Sequence, residues 1–195
     1  MMTLAWKATA ILVGDALLTF AFELAVGEST DSKSVARRQD ALRVLLTAIG
    51  TAGMIGGQVD DLLATGARVD EAQVRSIHER KTGALLRACP VIGGVLAGAD
   101  PAIVAELGRY GEDLGLAFQI IDDILDIEGT AQSLGKSAGK DRAAGKATFP
   151  AAIGVQRSRA LAEEIAERAH ATAHRLGERA RPLAELARFV VRRSR

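Results

Sequence analysis

Residues 114–126 of this 195-residue chain read LGLAFQIIDDILD, which places three carboxylates at the end of an apolar run. On an α-helix, Asp122, Asp123 and Asp126 occupy positions i, i+1 and i+4, which span an arc of about 100°. The apolar residues before them predict that this helix lies in a core rather than on a solvated surface. The segment therefore predicts a core helix that carries an acidic cluster.

The three aspartates are expected to converge on one side of their helix and to bind a cation. Carboxylates ~6 Å apart repel each other by roughly 3 kcal/mol at an effective dielectric near 20, and a cation between them would remove that repulsion. Oxygen ligands without His or Cys favour a hard ion such as Mg²⁺, which commonly bridges carboxylates and substrate phosphates. The alternative interpretation is a solvated acidic turn without a metal.

A basic, glycine-rich segment follows at residues 133–146 and reads SLGKSAGKDRAAGK. Its three Gly-Lys pairs end at Lys136, Lys140 and Lys146. Glycine lets the backbone approach a ligand closely, and lysine ammonium groups bind phosphate oxygens as point charges. In isolation the segment is equally typical of a flexible basic loop. Next to the aspartates it fits a metal–diphosphate site better.

The rest of the chain predicts an all-α protein. Proline is scarce (4 residues), and apolar residues recur at helical spacing without convincing period-two alternation. A net charge of +1 does not favour a nucleic-acid partner. The single cysteine, Cys89, excludes an internal disulfide and is expected to be buried. We predict one domain over residues 1–195, with helices over 4–26, 34–49, 50–65, 70–88, 101–127, 148–155, 157–177 and 180–193.

Neither end of the chain is expected to have a special role: the N-terminal helix is not predicted to span a membrane, and the C-terminal basic residues are not predicted to bind a ligand. Residues 4–26 are strongly apolar, but Lys7, Asp15 and Glu23 interrupt them, and charges at those depths are costly in lipid. We therefore predict no membrane span. The single cysteine suits a reducing compartment, so a cytoplasmic protein is expected. The basic residues 188–195, RFVVRRSR, are expected to form a solvated tail after the last helix.

Several motifs resemble those of the trans-isoprenyl diphosphate synthases, in the order in which that family carries them. The matching residues are 10–18 (AILVGDALL), 56–62 (GGQVDDL), 77–83 (IHERKTG), 110–126 (YGEDLGLAFQIIDDILD), 135–136, 139–141 and 145–150 (GKATFP). Members of this family condense isopentenyl diphosphate head-to-tail with an allylic diphosphate. The resemblance implies a helical bundle of the isoprenoid synthase type and Mg²⁺ as cofactor.

The resemblance also implies roles for individual residues. The residues that would bind Mg²⁺ are Asp122, Asp123 and Asp126. The residues that would act in catalysis are Lys81, Thr82, Gln119 and Lys136. The residues that would contact the substrate diphosphate or border its cavity are Lys81, Gln119, Lys136, Lys146, Gln58 and Asp61. For Asp61 the expected task is to position the metal or a lysine.

Family members also carry an upstream aspartate-rich motif, DDxxD, and basic residues that grip isopentenyl diphosphate. The pair Asp60-Asp61 lacks the spacing of that motif, because Leu-Leu-Ala-Thr follows it. We therefore expect an N-terminally truncated bundle that lacks roughly the first third of a family member. Such a bundle would hold one of the two metal-binding walls and have weak or no activity by itself.

Three interpretations of the chain stay open at this point. It is a prenyl diphosphate synthase without its N-terminal third, a non-catalytic partner or regulatory subunit of a longer synthase, or a Mg²⁺- and diphosphate-binding helical protein without transferase activity. Because family members are typically dimers, a homodimer or a heterodimer with a longer homologue is expected. The motifs do not predict the length of the prenyl product.

Overall fold

The structure is a computed structural model that describes residues 2–28, 31–133 and 145–193, with side chains for 5–28, 31–128 and 145–193. Within these ranges the chain forms helices and no β-strand, so the all-α prediction is confirmed. The elements are α1 (Met2–Val26), α2 (Ser32–Ile49), α3 (Met54–Ala64), α4 (Glu71–His78), a π-helical turn (Glu79–Gly83), α5 (Ala84–Ala97), α6 (Pro101–Ser133), α7 (Phe149–Ile153), α8 (Val155–Arg175), a 3₁₀ turn (Glu178–Ala180) and α9 (Arg181–Arg192).

Helix α6 lies at the centre of the core. It packs against α5 and α8, and α9 packs against both α8 and α6. Ile120, Ile121 and Ile124 of α6 are at most 2% exposed. The face of α8 that belongs to the same core combines the fully buried Ile165 with four small residues, Ala162, Ala166, Ala169 and Ala173. Because alanine side chains are short, this face lets the isoleucines of α6 fill the space between the two helices.

Glycines set the spacing between α5 and α6. A Cβ atom on Gly111 would lie 2.6 Å from the Cα of Arg87, and one on Gly115 would lie 3.1 Å from the Cα of Gly83. The first distance is too short for a side chain and the second is tighter than most Cβ contacts, so the two backbones touch where these glycines lie. Tyr110, one residue before Gly111, is 1% exposed and donates a hydrogen bond to the carbonyl oxygen of Leu183 at 2.8 Å. This bond ties α6 to α9, and burial raises the pKa of Tyr110 to about 12.

The helical run that was predicted over 70–88 is longer in the structure. It starts as expected, because Asp70 caps α4 with a capping box to Gln73. Its predicted end at residue 88 is wrong, because Pro90 lies inside α5, which continues to Ala97. Proline cannot donate to the carbonyl oxygen of Leu86, but that oxygen lies beside Gly111 of α6, so packing sustains the helix across the proline.

Cys89 is exposed, which corrects the prediction that it is buried. The buried residues of α5 are Ala88, Val91 and Gly94, at positions i, i+3 and i+6. Cys89 directly follows Ala88, so its side chain lies about 100° around the helix from that of Ala88 and outside the buried stripe.

Helix α1 contrasts with the core. It contacts α2, and no side chain from residue 5 to residue 26 is buried. The stretches Ala5–Val26 and Ser32–Ala64 are each long and apolar enough to cross a membrane by length and composition, a test that core helices and signal sequences also pass. The second stretch is interrupted between α2 and α3. The absence of a membrane span therefore stays a prediction.

Candidate diphosphate and metal site

The π-helical turn carries Lys81 and Thr82 between α4 and α5. Such turns are rare and occur frequently at functional sites. Lys81 Nζ donates to Oδ2 of Asp61 in α3 at 2.6 Å, and the neighbouring Arg80 pairs with Asp60. The structure thus brings together two of the predicted site residues, with Asp61 as the counter-ion of Lys81.

Two consecutive glycines in α3 make this contact possible. A Cβ atom on Gly57 would lie 2.2 Å from the backbone nitrogen of Lys81, and one on Gly56 would lie 2.1 Å from a guanidinium nitrogen of Arg80. Arg80 also donates to the carbonyl oxygen of Thr51 at 3.0 Å, which fastens the break between α2 and α3. Backbone therefore packs against backbone where α3 crosses the π-helical turn, and larger residues at Gly56 and Gly57 would separate Lys81 from Asp61.

The aspartate cluster of α6 is divided between core and surface. Asp123 is 9% exposed, and its Oδ2 lies 2.8 Å from Nε2 of His78 and accepts the backbone N–H of Phe149 at 3.0 Å. Asp122 is about half exposed, and Asp126 is exposed. Among the described side chains, no group of three or more His, Cys, Asp or Glu residues is arranged to hold a metal ion.

The prediction that all three carboxylates converge on one side is therefore wrong. The physical reason is the angle of about 100° between consecutive helical residues, which turns Asp123 into the core while Asp122 faces outward. Asp122 and Asp126, one helical turn apart, are left as an oxygen-only pair near the protein surface. Their role as magnesium ligands, and that of Asp123, stay predictions at this point.

Arg193 lies against Asp122, which corrects the prediction of a solvated tail for this residue; residues 194–195 lie outside the described part of the chain. Its guanidinium pairs with the Asp122 carboxylate, donates to the carbonyl oxygen of Phe118 at 3.1 Å and stacks 4.0 Å from the centroid of the Phe118 ring. Its side chain is 18% exposed, and its Nε is buried without a hydrogen-bond partner. The end of α9 therefore lies beside the aspartate cluster rather than in solvent.

The chain returns to the site at residues 145–149. The carbonyl oxygen of Gly145 accepts the backbone N–H of Gly66 at 2.8 Å, which fixes this segment to the end of α3. Gly145 has a φ of +60°, which favours glycine, and a Cβ there would lie 2.9 Å from the Cα of Gly66. Lys146, next in the chain, is exposed. Lys136 and Lys140 lie outside the described residues.

Three further residues of the predicted site are at least partly accessible. Gln119 lies on α6 one turn before Asp122 and is partly exposed, as is Thr82 in the π-helical turn. Gln58 is exposed on α3 and lies one turn before Asp61. Gln119 and Thr82 lie on the elements that carry Asp122 and Lys81, and Gln58 lies on the helix that carries Asp61. These positions are compatible with contacts to a shared ligand, and the individual roles stay predictions.

His78 and Arg193 are the contributors that the sequence analysis did not identify. His78 lies within the quoted motif at 77–83, and its signal was its position on the apolar face of α4 with the buried residues Val74 and Ile77. A histidine on such a face is either a satisfied core residue or part of a site. For Arg193 the sequence offered no comparable signal, because basic residues surround it.

Most of the chain matches a family of known proteins. The polyprenyl synthetase family model matches residues 2–181. The chain belongs to the polyprenyl synthetase family. A dimethylallyltranstransferase of Fischerella ambigua is 44% identical over 186 residues, which cover 95% of this chain and 54% of that protein. The resemblance read from the sequence is therefore confirmed.

Solved structures of other family members have the same fold. An FPP/GFPP synthase of Zymomonas mobilis superposes with a TM-score of 0.79 at 33% identity, over 94% of this chain and 61% of that one. A geranyltransferase of Helicobacter pylori, solved with magnesium and isoprenyl diphosphate, gives a TM-score of 0.77 at 28% identity, over 94% of this chain and 59% of that one. These superpositions confirm the isoprenoid synthase type of helical bundle. The chain spans about half the length of the curated relative and about 60% of the solved structures.

Proposed function

We propose that this protein is a prenyltransferase-type protein of isoprenoid biosynthesis in the cytoplasm, built for the head-to-tail condensation of isopentenyl diphosphate with an allylic diphosphate, and that residues 1–195 by themselves have weak or no activity. The observation that carries the proposal is the arrangement of α6 and the π-helical turn. Asp122 and Asp126 line one accessible face of α6, and Lys81 is held on the adjoining turn by Asp61. Acidic and basic side chains are thus presented from neighbouring elements of one core, as a metal–diphosphate ligand requires.

Asp122 and Asp126 are the residues that would hold Mg²⁺. Mg²⁺ is usually bound through one or two carboxylates, with waters and substrate phosphates completing its shell, so an accessible oxygen-only pair fits this ion. The Helicobacter pylori geranyltransferase was solved with magnesium and isoprenyl diphosphate, which supports Mg²⁺ as the ion. When bound, the ion neutralises the negative charge that develops on the leaving diphosphate.

Lysines would bind the diphosphate from the opposite side. Lys81 presents its ammonium group at the rim of the core, where its side chain is 36% exposed, so it can exchange Asp61 for a phosphate oxygen. Lys146 starts the segment that returns to α7, and Lys136 precedes it in the basic loop. Fixed positive charge at these positions would stabilise the departing diphosphate. Thr82, Gln119 and Gln58 would supply neutral hydrogen-bonding groups around it.

The test is an assay of the purified chain with Mg²⁺, labelled isopentenyl diphosphate, and dimethylallyl, geranyl or farnesyl diphosphate. We expect Mg²⁺-dependent binding of the allylic diphosphate, which Asp122→Ala abolishes, and weak or no condensation by these residues alone. The matched control is Asp113→Ala, since Asp113 also lies on α6 but pairs with Arg168 of α8. Binding that does not depend on Mg²⁺ or on Asp122 would contradict the proposal.

A second function, a partner subunit of a longer prenyl diphosphate synthase, is favoured by the surface of α1. Large apolar side chains there are exposed, for example Trp6 at 70% and Leu12 at 66%, and surfaces of this kind typically mark protein interfaces. Light scattering after chromatography would measure the mass of the chain alone and when it is mixed with a longer synthase. A homodimer supports assembly of the chain with itself, a stable mixed complex supports the subunit role, and a monomer in both samples contradicts both.

A further inference from the structure

Three segments that carry predicted ligand-binding residues meet at the buried carboxylate of Asp123. His78 ends α4, three residues before Lys81, and its Nε2 lies 2.8 Å from Asp123 Oδ2. The backbone N–H of Phe149, three residues after Lys146, donates to the same oxygen at 3.0 Å. We refer to His78, Asp123 and Phe149 together as the Asp123 joint.

The surroundings of the Asp123 joint are those of a core contact. The side chain of Asp123 is 9% exposed, that of His78 is 7% exposed, and Phe149 is fully buried. The rings of His78 and Phe149 pack with their centroids 5.5 Å apart. An ionised carboxylate acts only as an acceptor of hydrogen bonds. In its contact with the ionised Asp123, Nε2 of His78 is therefore the donor. Both bonds stabilise the charge of a carboxylate that is shielded from solvent.

Resting on the function proposed above, we infer that Asp123 is an internal positioning residue and not a magnesium ligand. Together with His78 it holds the π-helical turn and the segment 145–149 against α6. It thereby sets where Lys81 and Lys146 lie relative to Asp122 and Asp126. The adjacent aspartates of this motif have separate tasks, because one faces the ligand and the other faces the core.

The first experiment separates a ligand from a positioning residue by removing charge without removing hydrogen bonds. In Asp123→Asn, the amide oxygen takes the place of Oδ2 and accepts the same two bonds, while the negative charge is lost. Electron paramagnetic resonance titration with Mn²⁺ measures the affinity of wild type, Asp122→Asn, Asp126→Asn and Asp123→Asn. We expect the first two variants to lose at least about tenfold in Mn²⁺ affinity and Asp123→Asn to change it by less than about twofold. A tenfold loss in Asp123→Asn would overturn the inference.

The second experiment tests the joint through His78 and does not depend on metal binding. The side-chain nitrogen of Gln can occupy the position of Nε2, whereas Leu leaves Asp123 without that donor. Hydrogen exchange of residues 145–153 should be much faster in His78→Leu and Asp123→Ala than in wild type, and close to wild type in His78→Gln. Equal protection in all four proteins would overturn the inference.

A third measurement, of pyrophosphate affinity, distinguishes a failure of the inference from a failure of the proposed function. Affinity for inorganic pyrophosphate, measured by calorimetry with Mg²⁺, should fall at least about fivefold in His78→Leu while Mn²⁺ affinity stays within about twofold, and His78→Gln should restore it. A general loss of structure would lower both affinities together. If wild type binds neither Mn²⁺ nor pyrophosphate, the proposed function fails, and hydrogen exchange alone decides whether the joint exists.

Discussion

Helices α1 and α6 are both rich in apolar residues, yet only α6 has partners for them. In α6, Ile120 and Ile124 have no exposed surface, whereas Ile11, Leu12 and Leu17 of α1 are 63–66% exposed. Glycines of α6 let its backbone approach α5 closely, and α8 offers it a face rich in alanine. Apolar composition therefore does not decide burial, since small residues where the helices meet are also needed.

The pattern of apolar residues differs between the two helices as well. Residues 11–13 of α1 are consecutive and apolar, and three consecutive residues cover about 200° of a helix. A helix that is apolar on all sides is normally enclosed by protein or lipid. Helix α6 instead alternates buried isoleucines with Gln119, Asp122 and Asp126 on an accessible face. Its polar residues are concentrated where the ligand is proposed to bind, and this difference predicts how the two regions respond to substitution.

The largest difference is expected for the same phenylalanine substitution made in both regions. Phe149→Ala removes a fully buried ring that packs on His78 and should lower the free energy of unfolding by about 3–5 kcal/mol. Phe20→Ala in α1, where the ring is 53% exposed, should change it by no more than about 0.5 kcal/mol. Urea denaturation followed by circular dichroism measures both. Similar losses in the two variants would mean that α1 is as well packed as the core.

A glycine pair sharpens the comparison further. Gly57→Ala places a Cβ 2.2 Å from the backbone of Lys81 and should cost about 1–3 kcal/mol through overpacking. Gly14→Ala in α1 has nothing within 4 Å and should raise stability by up to about 1 kcal/mol, because alanine favours a helix more than glycine does. Thermal unfolding should thus show shifts of opposite sign. A stabilised Gly57→Ala variant would show that α3 does not pack closely on the π-helical turn.

Tyr110→Phe should have a smaller effect, confined to one hydrogen bond between α6 and α9. The loss of the bond to Leu183 should lower stability at pH 7 by about 0.5–1.5 kcal/mol. Burial raises the pKa of Tyr110 to about 12 from an ordinary 10. The stability that the protonated Tyr110 hydroxyl gives to the wild type is therefore fully present below pH 10 and is lost as pH rises through 12. Urea denaturation between pH 8 and 12 should show the two proteins converging at alkaline pH. A constant difference across this range would contradict the prediction.

Much of this fold could be predicted because its signals are local. The start of a helix at residue 70, the helical spacing of apolar residues and the all-α class are properties of neighbouring positions. The continuation of α5 through Pro90 was not predictable, because it depends on the contact of the Leu86 carbonyl with Gly111 on another helix. The exposure of Cys89 depends on the register of the same helix. Non-local packing decided each of these features.

The site divides in the same way. The pairing of Lys81 with Asp61 agrees with a task expected for Asp61, and both residues lie in recognisable motifs. The sequence did not predict that Asp123 is buried while Asp122 is accessible, because the spacing of the aspartates does not tell which side of the helix faces the core. In the folded chain, His78 of α4 and the backbone N–H of Phe149 in α7 hydrogen-bond to the carboxylate of Asp123 in the core. The contact of Arg193 with Asp122 spans 71 residues of sequence and had no local signature.

Arg193 provides the smallest and most specific test, because it connects the end of α9 to the exposed side of the aspartate cluster. If Asp122 binds Mg²⁺ as proposed, the guanidinium competes with the ion for the same carboxylate, and Arg193→Gln should raise Mn²⁺ affinity between about three- and tenfold. Arg192→Gln is the matched control, since Arg192 is exposed and should leave the affinity unchanged. At higher ionic strength the difference in Mn²⁺ affinity between Arg193→Gln and wild type should become smaller, because salt screens partly exposed charges. A weaker Mn²⁺ site in Arg193→Gln would mean that Arg193 orients Asp122 for the metal instead of competing with it, and the C-terminal end of α9 would then belong to the metal site.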